Sequence, residues 1–172
     1  MSDIDILKDF QEESKAIVKT LLDLLEEIEG QFEMVKKLEI YGQQVDRIMG
    51  GAKSLGMTFP PEHSVHKVGD YSALCKAVGY KASQIENNED FFNICVALLL
   101  DATEVLADMV DQVDSAEHLH VGEMVSQTFL DRLKWVSNQF NAEVRASVAV
   151  SPDAPKKMSQ TEIDDLLKRL GL

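Results

Sequence analysis

The sequence predicts an all-α protein, and three observations predict it. Apolar residues recur with a 3.6-residue period through every long segment. Glycine and proline are scarce outside a few clusters, and aromatic residues make up 6% of the chain, a composition that suits helices. A length of 172 residues suffices for one domain with a proper core. The net charge of −13 argues against nucleic acid and anionic membrane surfaces as partners, since both would repel the chain. No run of about 20 apolar residues offers a membrane span. The opening MSDIDILKDF lacks the basic-then-apolar order of a signal peptide, so a cytoplasmic location is expected. Cys75 and Cys95 fit no metal spacing and read as reduced, buried small hydrophobes.

Residues 3–29 read as one long amphipathic helix. Ile6, Phe10, Ile17, Leu21, Leu24, Leu25 and Ile28 recur at helical spacing, with Glu12, Glu13, Glu26 and Glu27 between them. Ser2 or Asp3 suits its start and Gly30 its end. A second helix, about 31–55, carries the adjacent glycines Gly50 and Gly51. Each costs about 1 kcal/mol against alanine in a helix interior, so the pair implies close approach of another surface. Residues 56–69, with Gly56, Pro60, Pro61 and Gly69, read as a loop in which His63 and His66 are solvated. That pair has no further ligands nearby to make a metal site.

Residues 70–86 and 90–114 form a helical hairpin with its turn at Asn87–Asn88. The third helix carries Tyr71, Leu74, Cys75, Val78 and Ala82 on one face. The fourth is apolar nearly all round, which predicts a position deep in the core. A fifth helix, about 116–147, holds Met124, Phe129, Leu133, Trp135 and Phe140. It packs along the bundle or mediates a homodimer; a spacing of two sets His118 and His120 on different faces of it. Residues 148–158 are a linker, broken by Pro152 and Pro155.

The C-terminal segment begins with a capping box, Ser159-Gln160-Thr161-Glu162, with Met158 and Ile163 at the staple positions around it. Ile163, Leu166, Leu167 and Leu170 follow as one apolar stripe. Acids Glu162, Asp164 and Asp165 near the start, and Lys168 and Arg169 near the end, suit the helix dipole, and Gly171 ends the helix. So short a helix is marginal alone. It is expected to fold when its stripe meets a groove, on a partner or on the parent bundle.

Gly50, Gly51, Ala52, Leu55 and Gly56, together with the long first helix and the hairpin LCKAVGYKASQIENNEDFFNICVALLLDATEVLADMV, resemble histidine phosphotransfer (Hpt) domains of the chemotaxis kinase CheA type. The resemblance covers roughly residues 3–114. It implies an Hpt-like four-helix bundle over 1–115, an additional long helix over 116–147, the linker 148–158 and a tethered helical peptide over 159–172. Asp46 stands where the family has its phospho-accepting histidine and Met49 where it has a lysine. A histidine phosphotransferase activity is therefore not expected. SQTEIDDLL resembles the N-terminal segment of the flagellar switch protein FliM, and IDDLLKRLGL the tail of the chemotaxis phosphatase CheZ. These resemblances imply that Ser159, Glu162, Ile163, Asp164, Leu166, Leu167 and Leu170 bind a CheY-type response regulator.

Glu39, Gln43, Asp46 and Gly50 share one face of the second helix, the face on which the Hpt family docks regulators. Chemotaxis phosphatases insert an acid and an amide from one helix to orient a water at the aspartyl phosphate. Glu39 and Gln43 have that order and spacing; Gln43 and Asp46 are the alternative pair. The regulator would supply Mg²⁺, so no cofactor or metal of the protein's own is expected. The competing expectation is a non-enzymatic module that sequesters or localises the regulator. A third is an adaptor of the flagellar switch or the chemotaxis kinase.

Overall fold

A computed structural model describes residues 2–115, 118–148 and 160–172. The first helix, α1 (Asp3–Ile28), starts from a capping box of Ser2 and Asp5 and stops before Gly30, which takes φ +74°. A 3-10 segment, Phe32–Lys37, leads into α2 (Leu38–Gly56). Then follow α3 (Ser64–Ala82), α4 (Glu89–Asp111), a single turn α5 (Val121–Met124), α6 (Gln127–Val148) and α7 (Gln160–Arg169). No strand occurs among the described residues. The all-α expectation therefore holds, and no helix of the described residues is long and apolar enough to cross a membrane.

Helices α3 and α4 end at Ala82 and Asp111, short of the expected 86 and 114, and three further differences from the sequence reading have a local reason. The second helix begins at Leu38, because the preceding six residues wind more tightly as 3-10 helix. The third begins at Ser64, six residues earlier than expected, because His63 caps it: its Nδ1 accepts the Val65 N–H at 3.1 Å. Gly69 is consequently a helix residue; a methyl there would meet Ala52 and Lys53 across the interface. The fifth helix is not continuous. Residues 118–120 are irregular, Val125 is extended, and the Ser126 hydroxyl accepts the Phe129 N–H at 3.0 Å to start α6.

Helix α3 is the centre of the molecule. The sequence shows one apolar face, but Ser72, Ala73, Ala77 and Gly79 are buried as well, because α2, α4 and α7 pack around it. Helices α2 and α3 run antiparallel in a fixed register. Gly42 faces Tyr80, Tyr41 faces Gly79, Ala52 faces Gly69, and Gly56 faces His66. A methyl on Gly79 would stand 2.6 Å from the Tyr41 ring, and one on Gly42 2.7 Å from the Tyr80 ring, so each glycine admits an aromatic ring of the other helix. Tyr41 is fully buried with its hydroxyl 2.8 Å from that of Thr103, and the Tyr71 hydroxyl donates to the Ala102 carbonyl at 2.7 Å. Both tie α4 into the same core. Cys75 and Cys95 are buried free thiols, and burial pushes the Cys75 thiol up to about 12.

Helix α1 contributes Leu7, Phe10, Ile17, Val18, Leu21, Leu25 and Ile28, while Ile6 is exposed and stands outside the stripe. Gln11 is buried instead, its amide donating to the Val110 and Asp111 carbonyls at 3.0 Å and so closing the C-terminal end of α4. Helix α6 lies along α4, burying Phe129, Leu133, Val136 and Phe140 and leaving Trp135 half-exposed. Phe91 meets both Trp135 and Phe140, with ring centroids 6.1 and 5.2 Å away.

The C-terminal helix packs on the parent bundle. Ile163, Leu166, Leu167 and Leu170 are buried against α3 and α6. Gly171 at φ +77° closes the helix as the sequence predicts. Leu172 N–H bonds the Leu167 carbonyl at 2.8 Å and Gly171 N–H the Lys168 carbonyl at 3.0 Å, a Schellman pair. Ser159, Met158, the Glu162 side chain and nearly all of the linker lie outside the described residues.

Candidate functional site

Each turn of α2 sets one residue of the expected docking face toward solvent. Gln43 and Gly50 are exposed, Glu39 is partly exposed, and the Asp46 side chain is 46% exposed. Tyr41, Val45, Ile48 and Ala52 on the opposite face are fully buried, so the helix cannot roll without emptying the core. That anchoring holds Glu39 and Gln43 at fixed positions one turn apart.

Asp46 has a partner that sequence reasoning missed. Lys76 of α3 donates to its carboxylate at 2.7 Å. The only hint in the sequence is a lone cation inside the apolar run LCKAVG, and without the register of α2 against α3 nothing connects it to Asp46. The pair is half-exposed and worth little to stability. Its consequence is chemical: the Asp46 carboxylate is already committed to a cation, whereas the Glu39 and Gln43 side chains have no hydrogen bond or ion pair among the described residues. Gln44 accepts from Arg47 at 3.4 Å, and Arg47 pairs with Glu13 at 2.7 Å.

The two adjacent glycines have different surroundings. A methyl on Gly51 would lie 3.1 Å from the Phe10 ring, the close approach expected of the pair. Gly50 has nothing within 4 Å, so bare backbone opens to solvent one turn beyond Asp46.

The expected tail site lies elsewhere on the surface. Asp164 and Asp165 are exposed on the outer side of α7, and the four apolar residues face inward. Lys67 and Asp70 of α3, also missed by sequence reasoning, hold the end of this helix. The Lys67 ammonium donates to the Arg169 carbonyl, and the Arg169 guanidinium is 3.5 Å from the Asp70 carboxylate. The structure thus brings together Glu39, Gln43 and Asp46 on α2, and the tail residues on α7, as two separate groups.

The histidines are placed differently from the sequence reading. His66 is a residue of α3, not of a loop, with its ring against Gly56 and its Nε2–H donating to the Pro60 carbonyl at 3.0 Å. His118 and His120 are not helical; His118 donates through Nδ1–H to the Glu62 carbonyl at 3.0 Å. Among the described residues no group of three or more His, Cys, Asp or Glu side chains is arranged to hold a metal ion.

His63 gives a pH prediction. Burial, and then the neighbouring His66 and His118, hold its imidazole below its ordinary value of 6.5. Protonation would also cost the cap on α3, since Nδ1 would no longer accept the Val65 N–H. The lowered folded value means that this contribution to stability is complete above about pH 6.5 and is lost as pH falls through the folded value. Chemical denaturation between about pH 7.5 and 5 is expected to show stability falling. His63→Asn, which keeps a capping oxygen without titrating, should flatten part of that slope.

In comparisons with protein-family models, curated proteins and solved structures, nothing matches this chain.

Proposed function

We propose that this chain is a chemotaxis signalling protein that captures a phosphorylated CheY-type response regulator through its C-terminal helix and promotes its dephosphorylation at the outer face of α2. One observation carries the catalytic part: Glu39 and Gln43 are an acid and an amide whose side chains have no partner among the described residues, one turn apart on a helix fixed by its buried face. With Asp46 engaged by Lys76, Glu39 is the acid favoured to pair with Gln43.

The reaction asks little covalent chemistry of the protein. Water attacks phosphorus as the bond from phosphorus to the regulator's aspartate oxygen breaks, releasing inorganic phosphate and restoring the carboxylate. Catalysis of such a step is mostly positioning and electrostatics. The Gln43 amide would hold the water in line, and Glu39 would orient a cationic side chain of the regulator. Mg²⁺ would come with the regulator, next to its phosphoryl group. The bare backbone at Gly50 leaves room for the docked surface.

A second reading is favoured by the Asp46–Lys76 pair. Asp46 stands where the phosphotransfer family has its imidazole, and a carboxylate held by Lys76 does not relay a phosphoryl group as an imidazole does. On this reading the chain is a degenerate phosphotransfer module that only sequesters or localises the regulator, or an adaptor at the flagellar switch. Phosphate release from a phosphorylated CheY-type regulator, with and without the protein, separates the two. Faster release supports the phosphatase; binding with an unchanged rate supports the module.

A further inference from the structure

The apolar stripe of α7 consists of Ile163, Leu166, Leu167 and Leu170, and all four are buried within the chain, at 0%, 8%, 6% and 3% exposure. The outer side of the helix, with Asp164, Asp165, Lys168 and Arg169, is exposed and polar. A ten-residue helix with a single apolar stripe can fill one groove at a time. Any partner that takes the stripe must first displace it from α3 and α6.

We propose that α7 is a latch, for which the α3 groove and the regulator compete, so that the regulator meets only the undocked fraction of the tail. This rests on the tail being the regulator-binding element. The clasp at the end of the helix is the part of the groove that reads this segment. Lys67 places its ammonium on the Arg169 carbonyl, where the negative end of the helix dipole favours a cation, and Asp70 faces the Arg169 guanidinium. Burial of the stripe is opposed by the conformational entropy of ordering the helix, a term of similar size, so changes at the clasp move the balance.

The latch has a quantitative signature. A helix this short is marginal once undocked, so amides in 163–170 exchange from the same open state that the regulator would capture. Apparent affinity scales with the fraction of chains in that state. A change on the groove side must therefore raise tail exchange and regulator affinity by the same factor.

The test uses the full chain with Lys67→Glu, and with Lys67→Glu combined with Asp70→Arg. The first sets a carboxylate against the last carbonyls of α7; the second adds a cation facing Arg169. Neither alters the stripe. Hydrogen exchange at 163–170 and affinity for a beryllofluoride-activated CheY-type regulator are measured on each form. Both are expected to rise together, on the order of tenfold, with exchange in the cores of α1 to α4 unchanged. Faster tail exchange without a gain in affinity overturns the latch and leaves the regulator reading standing. Unchanged tail exchange in both variants overturns the latch as well. Failure of every form to bind the regulator, the loosened double variant included, overturns the latch and the regulator reading together.

Discussion

Gln43→Ala is expected to lower the acceleration of regulator dephosphorylation on the order of a hundredfold, with regulator affinity nearly unchanged. Gln43 is exposed and its side chain makes no hydrogen bond among the described residues, so truncating it leaves the fold intact and loses only what it does for a bound partner. On the proposed mechanism its amide acts on a water in the transition state, while the tail supplies most of the ground-state binding. The two losses should therefore separate in single-turnover kinetics and titration. Glu39→Ala should cost less, because an orienting acid works through its partner and not on the water. Asp46→Ala should cost least, since Lys76 already occupies that carboxylate. Acceleration that survives Gln43→Ala in full would move the site to another amide, with Gln44 next to test.

Gly79→Ala is expected to destabilise the protein by about 2 kcal/mol, although alanine is the better helix former. The added methyl would stand 2.6 Å from a Tyr41 ring that is fully buried and whose hydroxyl is bonded to Thr103, so the ring cannot step aside. Gly50→Ala supplies the contrast. With nothing within 4 Å, it should gain up to about 1 kcal/mol from helix propensity. Thermal unfolding of the two variants against the wild type checks both signs. A Gly79→Ala variant as stable as the wild type would mean that α2 and α3 do not pack at this distance.

The same two glycines mark where the sequence could be read and where it could not. Helix content, the Asn87–Asn88 turn, the Gly30 and Gly171 caps and the stripe of α7 follow from residues within a few positions of one another. Periodicity and capping are local, and local physics decides them. The start of α3 was hidden for a related reason: a histidine imidazole stands in for the usual capping side chains, and two prolines and Gly69 make the stretch look like a loop. The acid–amide pair on α2 was legible, because four-residue spacing alone puts Glu39 and Gln43 on one face.

What the tertiary structure decided is which faces meet. The Lys76 partner of Asp46, the burial of α3 on nearly every side, and the choice of Gly51 over Gly50 as the glycine under Phe10 depend on the register between helices. That register is fixed by rings entering glycine gaps from residues more than thirty positions apart in the chain. The tail shows the division most clearly. Its sequence determines an amphipathic helix that must bury one stripe, but the stripe fits an apolar groove of any origin. That it lies on α3 is a matter of tertiary packing: the stripe is buried there, and Lys67 and Asp70, about a hundred residues away in the chain, meet the helix end.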